Sequence, residues 1–280
     1  MKISQALSQA KEKLKKAQIT NYSLDALLLV CHVKKFSKEK IIFNPELELK
    51  EEELIDFFKL ITRRQKGEPI SHLIENREFF GFDFFVNKNV LDPRPDSEIL
   101  VETVIKNYLK ESKLSFLELG IGSGCLSISL LKNFENFNAI GVDISPLALE
   151  VAKKNARKHD ILERLELKES DLFLSLNKSE KFDFIISNPP YIPSKNIKNL
   201  QIEVRDFEPH LALDGGDDGF DFYRKIARNS REFLKENSYV FLEIGQNQER
   251  EIEKIFNKFS FELIAANKDL AGIVRVLTFK

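Results

Sequence analysis

The chain has 280 residues, of which 42% are hydrophobic and 31% are charged, as is ordinary for a globular protein. Its 43 basic and 44 acidic residues give a formal net charge of −1, so we expect no direct nucleic-acid partner, because a non-specific binder relies on excess positive charge. No apolar run approaches the roughly 20 residues that cross a bilayer, and the N-terminus lacks the apolar core of a secretory signal, so we expect a cytoplasmic protein without a membrane span.

The first part of the chain has a helical pattern. From Ile3 to about Lys66 the apolar residues recur at helical spacing, which predicts a small helical bundle. The segment 77–85 then places aromatic runs on both sides of Gly81, a pattern typical of a β-hairpin. We therefore predict an N-terminal helical domain over 1–76 and a connecting hairpin over 77–92.

A second domain is predicted over 93–280. Asp96 can cap a helix from Ile99 to Leu109, and Glu98 supplies an acid to its first turn. Short apolar runs then alternate with amphipathic helical stretches, and the runs are 117–119, 139–142, 165–167, 182–186 and 239–244. This alternation favours a doubly wound, mostly parallel sheet.

The end of the chain departs from that alternation. Two β-prone runs, 261–265 and 273–279, are separated by too few residues for a crossover helix, so they should pair antiparallel. The predicted fold class is therefore α/β, with a mostly parallel sheet, an antiparallel last strand, a small N-terminal helical domain and a connecting β-hairpin.

The metal-ligating residue types do not form a ligand pattern. Cys31 lies in an apolar helical pattern and Cys125 lies beside a glycine-rich loop. The four histidines are scattered without ligand spacing. We therefore expect no metal site.

A glycine-rich loop follows the first apolar run of the second domain. Gly120, Gly122 and Gly124 allow a ligand to approach the backbone N–H groups at the start of a helix. A dinucleotide fingerprint requires Gly where Cys125 stands, and the Lys-Ser/Thr pair of a P-loop is missing. The loop predicts a cofactor site of another type.

An acid ends the next apolar run. Asp143 follows 139–142, so its carboxylate should lie at the tip of the neighbouring strand, where it can accept both ribose hydroxyls of a nucleoside. NAD and S-adenosylmethionine suit this arrangement equally well. Asp143 could instead cap the helix that starts at Pro146, although Ser145 can fill that role.

The motif Asn188-Pro189-Pro190-Tyr191 follows the fourth run of the sheet, where the switch in strand order should bring it beside the glycine loop. The two prolines stiffen the backbone. The Asn188 side-chain oxygen and the Pro189 carbonyl can then accept the two N–H groups of a planar amino or amide group, on which the Tyr191 ring can pack. We predict Asn188, Pro189 and Tyr191 as catalytic residues, and these three with Pro190 as substrate-binding residues.

Together these motifs resemble the class I amino-methyltransferases, and the chain as a whole resembles the HemK/PrmC release-factor glutamine methyltransferases. The resemblance rests on further motifs in the same order, which are 67–70, 77–81, 93–98, 170–173, 205–209 and 269–272. Two residues depart from the family pattern: Asp92 stands where an apolar residue is usual, and Leu172 where an aromatic residue is often found.

The resemblance implies an enzyme of translation termination. It would transfer a methyl group from S-adenosyl-L-methionine to the side-chain amide nitrogen of the glutamine in the Gly-Gly-Gln motif of peptide-chain release factors, which the N-terminal domain would dock. The implied cofactor-binding residues are Gly120, Ile121, Gly122, Ser123, Gly124, Asp143, Asp171, Leu172 and Asn188.

Three alternatives remain open. A ribosomal-protein glutamine methyltransferase resembles this chain in both domains but usually departs from the motif at 93–98. A DNA adenine methyltransferase would present the same two amino hydrogens to Asn188, but it must also grip phosphates. A non-catalytic nucleotide-binding protein would need the glycine loop and Asp143 only.

Overall fold

The computed structural model describes residues 1–280. Its helices are α1 (Ile3–Lys16), α2 (Tyr22–Lys34), α3 (Lys38–Phe43), α4 (Glu51–Gln65), α5 (Ile70–Ile74), α6 (Glu98–Asn107), α7 (Cys125–Asn133), α8 (Pro146–Lys158), α9 (Ile202–Arg205), α10 (Asp221–Phe233) and α11 (Glu249–Asn257). Its strands are β1 (Arg77–Phe79), β2 (Phe82–Phe84), β3 (Ser115–Leu119), β4 (Asn138–Asp143), β5 (Leu165–Glu169), β6 (Phe182–Ser187), β7 (Leu234–Glu243), β8 (Leu263–Lys268) and β9 (Val274–Phe279). None of the helices has the length and apolarity needed to span a bilayer.

The first of two compact units comprises residues 1–76 and 201–207. Its helices bury one apolar face each, as the spacing of Ile3, Ala6, Ala10 and Leu14 along α1 requires. The distant segment 201–207 belongs to this unit because its side chains pack on the α4–α5 connection. A Cβ added at Gly67 would lie 2.7 Å from Cγ2 of Ile202.

A buried arginine ties this segment to the helices. The Arg64 guanidinium donates to Asp25 at 2.7 Å and to Glu203 of α9 at 2.6 Å. Nothing in the local sequence pattern around Glu203 indicates this partner, which lies 139 residues away along the chain.

The second unit comprises residues 77–200 and 208–280, and it begins with the predicted hairpin. Strands β1 and β2 pair antiparallel, with Phe79 opposite Phe82. Phe80 and Gly81 form the two-residue loop and both have positive φ, +52° and +75°. Such loops match the right-handed twist of the two strands, which explains the preference for glycine here.

A seven-stranded sheet in the order β5-β4-β3-β6-β7-β9-β8 forms the centre of this unit. Strands β3 to β7 pair parallel, and β9 pairs antiparallel with both of its neighbours, β7 and β8. The predicted fold class is confirmed. The strand order reverses between β3 and β6, so the loops that follow these two strands diverge and leave a crevice at their carboxyl ends.

The two faces of the sheet are covered by separate apolar layers. Alternate residues of β3 enter opposite layers, Phe116 on one face and Leu117 with Leu119 on the other. The Phe116 ring stacks on that of Phe184 in β6, with centroids 4.7 Å apart. These contacts hold the two central strands together next to the crevice.

The predicted cap of α6 is wrong. The N-cap residue is Ser97, which makes no capping hydrogen bond with its side chain, and Asp96 forms an ion pair with Arg275 of β9 at 2.8 Å. A tertiary partner therefore takes the carboxylate that local capping would use. At α8, by contrast, Ser145 accepts a hydrogen bond from the Ala148 N–H at 3.2 Å and caps the helix.

Strand β3 also carries a buried acid. One carboxylate oxygen of Glu118 accepts hydrogen bonds from the N–H of Ser127, at 3.0 Å, and from its hydroxyl. Burial nevertheless raises the pKa of Glu118 to about 8, because the two hydrogen bonds to Ser127 offset only part of the desolvation of the charged form. The folded protein therefore holds this proton to a higher pH than the unfolded chain does.

We expect Glu118→Gln to remove a pH-dependent loss of stability. Between a pH near 4.5, where the unfolded carboxyl titrates, and about 8, the wild-type free energy of unfolding should fall relative to the variant by up to about 1.4 kcal/mol per pH unit. Urea unfolding between pH 5 and 8 measures this difference. The exposed Glu163→Gln is the control and should follow the wild type. A difference in the free energy of unfolding between Glu118→Gln and wild type that does not change with pH would contradict the prediction.

Candidate active site

The glycine loop connects β3 to α7 and has the backbone that its glycines predict. Gly120, Gly122 and Gly124 have φ values of +73°, +54° and +81°, a region that disfavours side chains. Apart from the adjacent residues of the chain, no residue has a heavy atom within 4 Å of the position that a Cβ would take at Gly120 or Gly122. The loop thus presents bare backbone to open space.

Asp143, at the end of β4, is tied to this loop. Its carboxylate accepts hydrogen bonds from the N–H groups of Gly122 and Ser145, each at 2.9 Å. Burial raises the pKa of Asp143, and these backbone donors partly oppose the shift. The acid both borders the crevice and holds the glycine loop in place.

The loop after β5 forms the next part of the wall. The Ser170 N–H donates to the carbonyl of Asp143 at 2.9 Å, which places Asp171 and Leu172 beside the end of β4. Leu172 has a positive φ of +53°, unusual for a residue with a side chain. Asp171 and Leu172 both line the crevice.

Asn188 follows β6 and faces the glycine loop across the crevice. Its side-chain Nδ2 donates to Oγ of Ser97 at 3.2 Å. With the nitrogen engaged by Ser97, the amide oxygen is the group left to accept hydrogen bonds from a ligand. Pro190 also lines the crevice.

Pro189 and Tyr191 are not among the residues that line the crevice. Pro189 is buried, and the carbonyl of Tyr191 accepts a hydrogen bond from Nε2 of Gln248 at 3.1 Å. Burial raises the pKa of Tyr191 to about 12, so its hydroxyl is protonated at neutral pH. Neither residue borders the crevice, and their substrate contacts stay a prediction.

An ion pair brings together two sequence motifs, of which one contributes the cavity-lining Arg94. Nη2 of Arg94 donates to both carboxylate oxygens of Glu208, at 2.6 and 2.7 Å. Burial raises the pKa of Glu208 to about 7, against the opposing effect of Arg94. The buried Asp92 lies 3.7 Å from Nη1 of Arg77 and 4.0 Å from Nη1 of Arg94. Two arginines thus accompany this acid.

The crevice is a single cavity of about 270 Å³ in the second unit. It brings together most of the residues predicted for the cofactor and the substrate, namely Gly120, Ile121, Gly122, Ser123, Asp143, Asp171, Leu172, Asn188 and Pro190. Gly124, Pro189 and Tyr191 do not border it.

Sequence reasoning did not assign every polar residue of this wall to the site, and Glu118 and Ser97 are two examples. A signal for Glu118 was present, because a charged residue inside an apolar run next to a glycine loop is unusual unless it serves a site. Ser97 lies within the motif at 93–98, but its hydrogen bond to the distant Asn188 could not be read from that motif.

Family models match most of the chain in segments. Residues 5–74 match the PrmC N-terminal domain and residues 87–205 match the methyltransferase small domain. Residues 153–264 also match the Eco57I restriction-modification methylase.

Similar proteins extend over nearly the whole chain. The release factor glutamine methyltransferase of Agrobacterium fabrum is 39% identical over 283 residues, which cover 99% of this chain and 97% of that protein. A bifunctional methyltransferase of Rickettsia conorii is 38% identical, but the match covers only 57% of it, so the chain spans little more than half of such relatives.

Among solved structures, a methyltransferase from Pyrococcus furiosus shares the fold, with a TM-score of 0.53, 17% identity, and coverage of 72% of this chain and 89% of that one. The strand order, the glycine loop and the full-length similarity to the Agrobacterium protein confirm the resemblance indicated by the motifs. The chain belongs to the family of release factor glutamine methyltransferases.

Proposed function

We propose that this protein methylates the side-chain amide nitrogen of the glutamine in the Gly-Gly-Gln motif of release factors, with S-adenosylmethionine as the methyl donor. The observation that carries the proposal is the orientation of Asn188, whose amide oxygen is free to face the same cavity as the glycine loop. Several relatives named release factor glutamine methyltransferase, at 37–39% identity, support it.

The residues assigned to the cofactor form a cradle that suits a nucleoside with a charged tail. The open space beside Gly120 and Gly122 admits a ligand against the backbone, and Asp143 has further lone pairs with which to accept ribose hydroxyls. Asp171 and Leu172 would border the same ligand from the β5 loop. When bound, S-adenosylmethionine supplies an electrophilic methyl group on its sulfonium.

The substrate amide needs help because its nitrogen lone pair is delocalised into the carbonyl. We assign Asn188 Oδ1, at the cavity, as the acceptor of one amide hydrogen, and Pro190 as the residue that stiffens the turn. The second acceptor, the Pro189 carbonyl, and the packing of Tyr191 on the amide plane require the bound substrate to reach past the residues that line the ligand-free cavity. Held in this way, the nitrogen faces the methyl donor and gains electron density as a proton leaves to solvent. Positioning and electrostatics then provide most of the rate enhancement.

The first unit is the proposed docking surface for the release factor. Ile42 and Phe43, at the end of α3, are 59% and 80% exposed, and a neighbouring pair of exposed apolar side chains is suited to a protein partner. Release factors act on cytoplasmic ribosomes, so the same proposal places the enzyme in the cytoplasm.

The direct test offers three substrates to the enzyme with methyl-labelled S-adenosylmethionine: a release factor, large-subunit ribosomal protein and DNA. Label on the Gly-Gly-Gln glutamine is the expected result. Label on ribosomal protein or on adenine would replace the proposal with the corresponding alternative. DNA is included because residues 153–264 match a restriction-modification methylase.

We expect Asp143→Ala to weaken S-adenosylmethionine binding by about 1.5–3 kcal/mol, because the ribose loses a charged acceptor and Gly122 loses its anchor. Isothermal titration calorimetry measures the change in the binding free energy. The exposed Glu163→Ala, outside the cavity lining, should bind as wild type does. Unchanged affinity in Asp143→Ala would remove this carboxylate from the cofactor site.

We expect Asn188→Ala to lower kcat on a release factor by about 10²–10³, since one preorganised contact to the reacting amide is lost. Cofactor affinity should be largely kept. Single-turnover assays together with calorimetry separate the two effects. Asn136→Ala, an exposed change in the turn before β4, is the matched control. Normal turnover in Asn188→Ala would rule out the proposed amide contact.

We expect Phe43→Ser to reduce kcat/KM for an intact release factor by roughly tenfold, because the complex loses one large apolar contact. A short peptide containing Gly-Gly-Gln should be methylated at the wild-type rate. Leu109→Ser, at a side chain that is 75% exposed in the second unit, is the control. Equal losses on factor and peptide would argue against docking through α3.

A further inference from the structure

A buried acid that the proposed mechanism does not use lies next to Asn188. Glu243 is the last residue of β7 and is only 3% exposed. Strands β6 and β7 run parallel with Ser187 opposite Leu242, so Asn188, which follows β6, and Glu243, which ends β7, are also neighbours. Asn188 lines the cavity and Glu243 does not.

Two hydrogen-bond donors lie near this acid. Burial raises the pKa of Glu243, and the nearby Ser97 hydroxyl and Asn188 amide oppose the rise because they favour the charged form. Ser97 in turn accepts from Nδ2 of Asn188 at 3.2 Å. The nitrogen of the Asn188 amide thus faces the side of Ser97 and Glu243, while the buried Oε2 of Glu243 has no hydrogen-bond partner.

We propose that Glu243 is a positioning residue that selects the orientation of the Asn188 amide. An ionised carboxylate only accepts hydrogen bonds, so it attracts the amide nitrogen and leaves the amide oxygen for the substrate. The reversed amide would present N–H groups to the N–H groups of the substrate glutamine. The inference rests on the proposed function, in which Asn188 Oδ1 accepts from that glutamine.

The same arrangement makes the orientation sensitive to pH. Burial raises the pKa of Glu243 to about 7, against the donors Ser97 and Asn188 and the charge of Arg275, whereas Asp96 adds to the rise. The other titratable groups near it are tyrosines and a cysteine, whose pKa values ordinarily lie above this pH and are raised further by burial, so they stay neutral; they are Tyr191, Tyr223 and Cys125. Protonated Glu243 can donate to the Asn188 oxygen, so the selection of one orientation is lost as pH falls through about 7.

The test is the near-isosteric variant Glu243→Gln, whose amide can offer either a donor or an acceptor to Asn188. We expect kcat on a release factor to fall by about tenfold to a hundredfold, with S-adenosylmethionine affinity within about twofold of wild type. The wild-type kcat should decrease between pH 8 and 6, and this limb should be missing in the variant. Glu236→Gln, an exposed change on the same strand, should retain both the wild-type rate and the wild-type pH profile.

A second measurement needs no variant of Glu243. In ¹H–¹⁵N spectra of the wild-type protein, the side-chain amide signals of Asn188, identified by their loss in Asn188→Ala, should shift with a midpoint near pH 7. Signals that stay constant between pH 6 and 8 would overturn the inference even if Glu243→Gln failed to fold.

The outcomes separate the two proposals. Full activity and an unchanged pH profile in Glu243→Gln would overturn the role of Glu243 and leave glutamine methylation standing. A wild-type enzyme that does not label the release factor would overturn the proposed function itself, whereas the amide titration would still report whether Glu243 faces Asn188.

Discussion

The parallel pairing of β3 with β6 is the constraint on which the candidate site depends. These strands are adjacent in the sheet although 62 residues lie between Leu119, which ends β3, and Phe182, which begins β6. Because the chain reverses its direction across the sheet at this pair, the loops after the two strands diverge and leave a cavity. The same pairing brings Asn188 opposite the glycine loop, and stacking of Phe116 on Phe184 holds the pair together.

Buried acids surround this cavity, and their partners explain how the fold accommodates them. Glu118 accepts from Ser127, Glu208 binds Arg94, and Glu243 faces Ser97 and Asn188. Desolvation raises the pKa of each acid to about 7 or 8. The buried carboxylates therefore destabilise the fold when they are ionised. Sites that bind and orient a ligand often carry such groups, because a desolvated charge with a few fixed partners directs neighbouring dipoles more firmly than one in water.

The sequence predicted the fold class and most of the cavity wall, but it did so unevenly. Glycine, proline and an acid at a strand tip limit the local backbone, so the positions of Gly120, Asp143 and Pro190 could be predicted from neighbouring residues alone. Glu118 carried a signal that was overlooked. Glu208 and Arg94 belong to motifs that were noticed, but nothing in either motif indicates that they pair across 114 residues.

By itself, the sequence determined the alternation of strands and helices in the second unit, the hairpin turn at Gly81 and the glycine-rich loop after β3, because apolar periodicity and backbone sterics act over a few residues. Only the tertiary structure decided that Asp96 pairs with Arg275 instead of capping α6, that 201–207 packs with the first unit, and that Glu243 lies beside Asn188. The physical reason is that a charged side chain takes its partner from whichever strand or helix the sheet register brings near. That register is set by the burial of the whole core, not by any local segment.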